Sequence, residues 1–191
     1  MKITVVTGNA NKAKEVASFF GDSIGVTHVA LDIPELRSDD VREIAREKAR
    51  YAYTQLKTPL IVDDTALSID ALNGFPGPYA AYVLKTVGNT GILNLMRGIT
   101  DRRAHFTTAI AYADERGIEI FSGSIHGLIT EAPRGDGGFG YDPIFETEGC
   151  TLAELTLEEK SGMSHRALAL VAFRDWFIKN HPVSGRTGAN G

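Results

Sequence analysis

The chain has 191 residues, of which 43% are hydrophobic and 23% charged, and this balance is typical of one globular unit with a sizeable core. The formal net charge of -4 argues against a protein that coats DNA or RNA, although it allows a local basic pocket for a small anion. Cys150 is the only cysteine, which excludes an internal disulfide and a zinc-finger spacing. No apolar segment approaches membrane-spanning length, so we expect a cytoplasmic protein with no membrane partner.

The first element is a predicted strand over residues 2–7, followed by a polar loop and a helix. A helix that starts directly after a strand presents backbone N–H groups and the positive end of its dipole to an anion. Gly8 allows the backbone to approach such a ligand closely, and Lys12 adds a formal charge. The segment therefore indicates either a phosphate site or an ordinary strand-to-helix turn with surface lysines.

The next helix is predicted from a cap within residues 38–40 to about Leu56, after a second strand over residues 25–32. Lys48 falls in the middle of the apolar stripe of this helix. An inward lysine either extends its ammonium group to the rim or points it into a polar cavity. Glu35 lies between apolar neighbours in the loop before the helix, a position that is usually solvated.

A short buried strand is predicted over residues 60–62, and it is expected to end at a corner formed by Asp63 and Asp64. Carboxylates beside a buried strand need hydrogen-bond donors, a cation or a metal to remain ionised. Because strand side chains alternate, we expect the two carboxylates to face opposite sides and only one to reach a ligand. The alternative is that one of them caps a turn.

In the middle of the chain, two kinds of side chain alternate along the sequence, as is typical of strands. Residues 67–71 and 104–114 are predicted strands, and the second turns back into a strand over 118–124 with a further strand at 127–130. This antiparallel region predicts a second lobe, with a cleft between it and the N-terminal α/β part.

Residues 135–140 match the G-x-G-x-x-G pattern, but they do not predict a dinucleotide fold, because no clear strand precedes them and no helix can start at residues 141–143. The glycine-rich loop instead carries Phe139 and Tyr141, which offer flat faces on which a base could stack. The alternative is a flexible turn with packed aromatic side chains.

The final helix is predicted to begin after Ser164, and its first turn carries His165 and Arg166. Cations are unfavourable at that end of a helix dipole. Arg166 is therefore either on a solvated surface, where it is tolerated, or part of a site with Lys160 for an anion or a carbonyl oxygen. We expect residues 1–181 to form one domain and residues 182–191 to be a tail without function. The predicted buried side of this helix comprises Leu168, Val171, Ala172 and Trp176.

Five segments occur in order along nearly the whole chain: T-G-N-A-N-K (7–12), V-D-D-T-A-L (62–67), G-F-P-G-P-Y (74–79), G-G-F-G-Y-D-P-I-F (137–145) and E-K-S-G-M-S-H-R (159–166). Together they closely resemble the inosine triphosphatase family, the Ham1-like non-canonical purine NTP pyrophosphatases. The resemblance implies an elongated α/β fold with a mixed sheet, two lobes and a nucleotide cleft, usually as a homodimer. It also implies hydrolysis of ITP, dITP or XTP to the monophosphate and pyrophosphate with Mg²⁺.

The resemblance also implies roles for single residues. Asp64 would be the general base and, with Glu35, a magnesium ligand, while Thr65 would contact the nucleotide. The triphosphate would be held by Thr7, Gly8, Asn9, Ala10, Asn11, Lys12 and Lys48. The base would be held by Phe139 as the stacking partner, by Gly140, Tyr141 and Asp142, and by Lys160, His165 and Arg166 at its 6-keto edge.

Two positions depart from the family pattern. Thr65-Ala66 replaces the frequent Ser-Gly, which keeps a hydroxyl group, and Tyr141 replaces a tryptophan of some members, which keeps an aromatic face. The alternative function is a non-catalytic purine-nucleotide binder or sensor, which would not need Glu35 and Asp64. A phosphatase of the aspartyl-phosphate type is not favoured, because the chain has Asp-Asp-Thr where that chemistry needs D-x-D.

Overall fold

The computed structural model describes residues 2–34 and 36–181. Its strands are β1 (Lys2–Val6), β2 (Gly25–Val29), β3 (Leu60–Ile69), β4 (Pro76–Gly77), β5 (Arg103–Asp114), β6 (Gly117–Ile129), β7 (Phe145–Thr147) and β8 (Cys150–Thr151). Its helices are α1 (Ala10–Phe20), α2 (Val41–Leu56), α3 (Ala80–Thr86), α4 (Gly88–Leu95), α5 (Leu157–Met163) and α6 (His165–Asn180).

The strands of the described part form one mixed sheet in the order β2-β1-β3-β5-β6-β7-β8, with β4 added to β3. The first three strands of this order are parallel, and the others are antiparallel to their neighbours. The helices α1 and α6 cover one face of the sheet and α2 covers the other. The predicted α/β fold with a mixed sheet and flanking helices is therefore confirmed.

The predicted corner at Asp63 and Asp64 is wrong, because β3 continues through both residues to Ile69. Every residue of β3 pairs with β5, and this ladder keeps the strand extended. On the other edge of β3, the pairing with β1 ends at Ile61 and the pairing with β4 begins at Leu67. Residues 62–66 lie in this gap, so the strand offers an open edge in its middle and not at its end.

The predicted division of residues 118–130 into two strands is also wrong, because β6 is one strand of 13 residues. The hairpin of β5 and β6 lies in the middle of the same sheet as β1 and β3. One continuous sheet thus links the two ends of the molecule, and the division into two lobes stays a prediction.

The buried side of α6 differs from the prediction. Of the predicted residues, Trp176 is partly buried against the core, but Leu168, Val171 and Ala172 are exposed. Phe173 and Phe177 are buried instead. Apolar side chains occur on both faces of this helix, so periodicity alone does not select the buried face. The aromatic face is selected because its rings pack against Tyr112 and Phe121 of the sheet.

Gly123 of β6 brings the first turn of α6 onto the sheet. A Cβ atom at this position would lie 2.4 Å from the carbonyl oxygen of His165 and 2.5 Å from the backbone nitrogen of Ala169. Such distances do not occur between real atoms, so the close approach of the helix requires a glycine here.

Glu35 and the predicted tail, residues 182–191, lie outside the described residues. Within residues 2–34 and 36–181, none of the helices combines the length and the apolar character that a bilayer crossing demands.

Candidate nucleotide-binding site

The gap at the edge of β3 opens into a cavity of about 360 Å³. Its lining comes from the β1–α1 loop, the segment after β2, α2, β3, the start of α3, the glycine-rich loop and the α5–α6 junction. Ala10 and Asn11 are outside the lining, on the exposed first turn of α1. The predicted site residues in the lining are Thr7, Gly8, Asn9, Lys12, Lys48, Asp64, Thr65, Phe139, Gly140, Tyr141, Asp142, Lys160, His165 and Arg166.

The helix N-terminus at this cavity is already capped. The Asn9 side chain accepts hydrogen bonds from the backbone N–H groups of Asn11 and Lys12, at 2.9 and 3.4 Å. The Thr7 hydroxyl accepts from the Asn9 N–H at 3.1 Å, which fixes the turn between β1 and α1. The N–H groups of Asn11 and Lys12, which were expected to be open to an anion, are therefore satisfied within the protein, and Asn9 would have to move to release them.

Two lysines approach the open edge of β3 from opposite faces of the sheet. Lys12 of α1 lies 3.2 Å from a carboxylate oxygen of Asp63, and Lys48 of α2 forms an ion pair with Asp64. Lys48 therefore points into the polar cavity, the second of the two outcomes that its position predicted. The Asp64 carboxylate also accepts a hydrogen bond from the backbone N–H of Thr65 at 3.0 Å.

The alternation of β3 places Asp63 and Asp64 on opposite faces, as expected, but both of them line the cavity. The open edge of β3 thus exposes both faces of the strand to one cavity. That only one of the two carboxylates contacts a ligand stays a prediction.

Asp63 is buried, and burial alone would raise the pKa of its carboxyl group. The charges and hydrogen bonds of Lys12 and Arg166 outweigh burial and lower the pKa from its ordinary value of 3.8 to about 2. Asp63 is therefore an anion at neutral pH. Its Oδ1 atom is buried and has no hydrogen-bond partner among the described residues.

A buried ionic network forms the floor of the cavity. Arg166 donates to Asp63 through Nε and Nη2, both at 3.0 Å, and its Nη1 group bonds Glu15. Lys160 lies 2.6 Å from Glu15 and 2.5 Å from Asp142. Both cations are buried, with side-chain exposures of 1% for Arg166 and 3% for Lys160.

Lys160 and Arg166 have more N–H groups than their bonds to the described residues use. Lys160 has three N–H groups, and two of them are used by Glu15 and Asp142. Arg166 has five, and four are used by Asp63, Glu15 and the Thr65 hydroxyl. Each cation therefore keeps one N–H group beyond its bonds to the described residues, in a position set by the carboxylates around it.

The glycine-rich loop presents the Phe139 ring to the cavity and packs the Tyr141 ring between the cavity and the core. Phe139 is partly exposed, and the ammonium group of Lys160 lies 4.5 Å from its ring centre. Tyr141 is buried in the adjacent hydrophobic cluster and donates a hydrogen bond to the carbonyl of Ala80 at 2.8 Å. The loop conformation is stabilised by Asp142, which accepts from the backbone N–H of Phe139 at 2.7 Å.

Burial raises the pKa of the Asp142 carboxyl group, and the charge of Lys160 acts in the opposite direction. This carboxylate is therefore dependent on its lysine partner. The dependence ties the loop that carries Phe139 to α5, which carries Lys160.

A chain of hydroxyl groups connects the open edge of β3 to α6. The hydroxyl oxygens of Thr65 and Thr108 are 2.8 Å apart, and Thr108 lies 2.6 Å from Nδ1 of His165. Burial, followed by the charges of Arg166 and Lys160, holds the pKa of His165 well below its ordinary value, so the ring is neutral. The His165 ring stacks on Phe106 with 4.6 Å between ring centres.

Three buried polar residues of this site were not predicted as contacts. Glu15 shares one face of α1 with Lys12, three residues before it, and a carboxylate beside buried Val16 was the available signal. Thr108 lies on the inward face of β5 between Phe106 and Ile110, and a polar residue in that row was its signal. Asp63 was recognised as a charge but not as part of the lining.

The carboxylate oxygens of the cavity are possible ligands of a metal ion. No group of three or more His, Cys, Asp or Glu side chains within residues 2–34 and 36–181 is placed to hold one. The carboxylates of Asp63 and Asp64 do line the cavity, and the orphaned Oδ1 of Asp63 is a buried anionic oxygen. Oxygen donors suit a hard divalent cation that completes its shell with water and phosphate oxygens. The residues fit such an ion in company with an anionic ligand.

Comparisons with known proteins find similarity along nearly the whole chain. The Ham1 family matches residues 3–176. The chain is 49% identical to the dITP/XTP pyrophosphatase of Methanopyrus kandleri over 97% of its own length and 100% of that protein. It is 46% identical to inosine triphosphate pyrophosphatase 1 of Trypanosoma cruzi over 92% of each chain. Among solved structures, the Ham1 protein of Staphylococcus aureus matches with a TM-score of 0.81 and 30% identity, covering 94% of this chain and 100% of that one.

Proposed function

The chain belongs to the Ham1 family, and on that premise we propose that it hydrolyses the non-canonical purine nucleotides ITP, dITP and XTP to the monophosphate and pyrophosphate. The observation that supports this reaction most strongly is the shared cavity. One space of about 360 Å³ is lined by carboxylates, by lysines from two helices and by an aromatic ring beside fixed cations. These are the groups that a triphosphate, an attacking water and a purine base require together.

The phosphates bind beside Lys12 and Lys48. A triphosphate brings several negative charges into the cavity, and both ammonium groups exchange part of their contact with aspartate for phosphate oxygens. This exchange loosens Asp64 from Lys48 and leaves its carboxylate able to accept a proton. The predicted contacts from Ala10 and Asn11 would be made by their backbone at the start of α1, and the Asn9 side chain would have to move to release the Asn11 N–H.

Asp64 acts as the general base. Its carboxylate takes a proton from a water molecule as the water oxygen forms a bond to the α-phosphorus. The bond from the α-phosphorus to the bridging oxygen breaks, and the electron pair leaves with pyrophosphate. Lys12 and Lys48 stabilise the charge that develops on the leaving group. Asp64 keeps its orientation through the hydrogen bond from the Thr65 N–H.

The reaction needs a divalent cation, and we propose that this is Mg²⁺, with Asp64 and Glu35 as protein ligands. When bound, the ion neutralises phosphate charge and polarises phosphoryl oxygens. Asp63 supports the site from the other face of β3, where its negative charge balances Lys12 and Arg166.

The base stacks on Phe139. Its 6-keto oxygen accepts hydrogen bonds from the one N–H group that Lys160 and Arg166 each keep beyond their bonds to carboxylates and hydroxyls. The 6-amino group of adenine would place donor against donor. Because the carboxylates around both cations prevent them from turning away, this mismatch leaves buried charge unpaired.

The reaction is tested by incubating the protein with ITP, dITP, XTP, GTP or ATP and MgCl₂ and identifying the phosphorus products by ³¹P NMR. We expect the monophosphate and pyrophosphate from the first three, and much slower turnover of ATP. Release of orthophosphate, or equal rates on ATP, would overturn the assignment. Saturable ITP binding without turnover in the presence of Mg²⁺ would instead favour a purine-nucleotide sensor.

We further propose that the protein works as a cytoplasmic homodimer without direct binding to nucleic acid or membrane. Size-exclusion chromatography with light scattering tests the dimer, since a monomer of 20.6 kDa at micromolar concentration would contradict it.

A further inference from the structure

Thr108 is a polar side chain with no exposed surface at the centre of β5, and the proposed reaction gives it no role. It lies between Thr65 and His165, with short distances to both: 2.8 Å between the two hydroxyl oxygens and 2.6 Å to Nδ1 of the imidazole. Beyond Thr65, the chain of contacts continues to Nη2 of Arg166 at 3.1 Å. Four side chains therefore form one line of hydrogen bonds.

Arg166 fixes one end of this line of hydrogen bonds. Arg166 has no acceptor atom, so it donates to the Thr65 hydroxyl oxygen. The Thr65 hydroxyl has one proton, and Thr108 is the acceptor within reach among the described residues. The Thr108 proton then points to Nδ1 of His165, so both hydroxyl protons are bonded within the protein and the imidazole N–H is the proton left for the cavity. In the opposite direction, Thr65 would accept twice, and its own hydroxyl proton would be the one left without an acceptor in the described part.

His165 is neutral, because burial and the neighbouring cations keep its pKa well below the ordinary range. A neutral imidazole carries one proton on its two nitrogens. If Nδ1 accepts from Thr108, the proton is on Nε2. His165 lines the cavity, and the structure records no bond from Nε2 to any described residue.

We infer that Thr108 is a positioning residue for base selection, which fixes His165 in the Nε2–H tautomer so that the cavity receives a third N–H donor beside Lys160 and Arg166. The ligand group that this donor takes is a hydrogen-bond acceptor, such as a ring keto oxygen. The inference rests on the proposed function for the identity of that ligand, but the tautomer itself does not depend on it. With the opposite tautomer, Nε2 would accept and would favour an amino group, so the line of hydroxyls selects against adenine.

The tautomer is read directly from the ¹⁵N signals of histidine in the full-length protein, with the His165 signal assigned by its loss in His165→Gln. We expect a pyridine-type Nδ1 and a protonated Nε2 in the wild type. Thr108→Ser keeps the hydroxyl group and should keep this pattern. Thr108→Val has nearly the same shape but no hydroxyl group, and it should give a mixture of tautomers. A wild-type ring protonated on Nδ1, or an unchanged signal in Thr108→Val, would overturn the inference.

Turnover gives the second readout. For Thr108→Val we expect the ratio of kcat/KM for ITP to kcat/KM for ATP to fall about tenfold, mainly through KM, as for the loss of one well-placed hydrogen bond. Thr108→Ser should retain the ratio. Equal losses for both nucleotides would show a merely structural role and would overturn the inference.

The two proposals fail separately. If the wild type does not turn over ITP, the proposed reaction fails, while the ¹⁵N signals still decide the tautomer. If ITP is hydrolysed but His165 carries its proton on Nδ1, the reaction stands and the role of Thr108 fails. Should Thr108→Val not fold, the wild-type and Thr108→Ser signals decide the question without it.

Discussion

The two sides of the cavity hold their cations differently. On the side of the β1–α1 loop and α2, the side chains of Lys12 and Lys48 are 18% and 16% exposed. On the side of α5 and α6, Lys160 and Arg166 are 3% and 1% exposed, and each bonds two carboxylates. Glu15 bonds both of these inner cations and links them into one network.

This difference matches two kinds of recognition. A cation at a partly hydrated position can exchange a carboxylate for a phosphate at modest cost, because water and the new partner replace the old one. A buried cation between two carboxylates cannot exchange partners, because it would leave an uncompensated buried charge. We therefore expect the first side to supply affinity and charge for any triphosphate, and the second side to supply a fixed pattern of donors that distinguishes bases.

The largest expected effect comes from the residue between the two sides. Asp64→Asn keeps the shape and the Thr65 contact of the side chain but removes its capacity to accept a proton. We expect kcat for ITP to fall about 10²–10⁴-fold, the usual contribution of a general base, with the same factor for every nucleotide. Pyrophosphate release at saturating substrate measures kcat, and circular dichroism checks the fold.

The control for this variant is Asp70→Asn, because Asp70 is a 40% exposed carboxylate just beyond the same strand. It should leave kcat unchanged. Asp64→Asn with wild-type turnover would remove the general base from the proposed mechanism.

The second effect separates the two sides by stability. Lys160→Met leaves Asp142 and one oxygen of Glu15 buried without their cation, and we expect the free energy of unfolding to fall by about 3–5 kcal/mol. Lys48→Met leaves Asp64 at the wall of the cavity with its bond from the Thr65 N–H intact, so a smaller loss of about 1–3 kcal/mol is expected. Urea unfolding without nucleotide measures both values. Equal losses would contradict the distinction between fixed and exchangeable cations.

The sequence predicted the elements of this site better than their connections. The helices with caps at Asp40 and Ser164 and the long strand β5 are recognisable because capping and alternation are local signals. The inward position of Lys48 was also visible from helical spacing. By contrast, the continuation of β3 through Asp63 and Asp64 depends on its ten-residue ladder with β5, which is a distant part of the chain.

The buried network shows the same limit. Glu15 and Arg166 are 151 positions apart in sequence, and nothing local to either indicates that they form an ion pair. The exposed face of α6 was mispredicted for a related reason, because the choice between two apolar faces is made by Phe173 meeting Tyr112 on the sheet. Both features depend on contacts between distant parts of the chain, and local propensity carries no information about such contacts.

The third effect uses pH to test the charge of Asp63. Its folded-state pKa of about 2 lies below the ordinary 3.8, so its contribution to stability is complete above pH 3.8 and is lost as the pH falls towards 2. The shift corresponds to about 2 kcal/mol. We expect the difference in free energy of unfolding between the wild type and Asp63→Asn to shrink by that amount from pH 5 to pH 2. Parallel pH profiles for the two proteins would show that Asp63 does not hold its charge through Lys12 and Arg166.

The smallest effect tests the side that supplies affinity. Lys12→Gln and Lys48→Gln each remove one exchangeable cation, and we expect kcat/KM to fall about tenfold per variant, the lower end of the 1.5–3 kcal/mol for a hydrogen bond to a charged group. The factor should be equal for ITP and ATP, because these lysines meet phosphates and not bases. Lys14→Gln, on the exposed side of α1, is the matched control and should retain wild-type kcat/KM. If either variant changed the ITP-to-ATP ratio as strongly as it lowers kcat/KM, the lysine would read the base, and the division of the cavity into an affinity side and a selection side would fail.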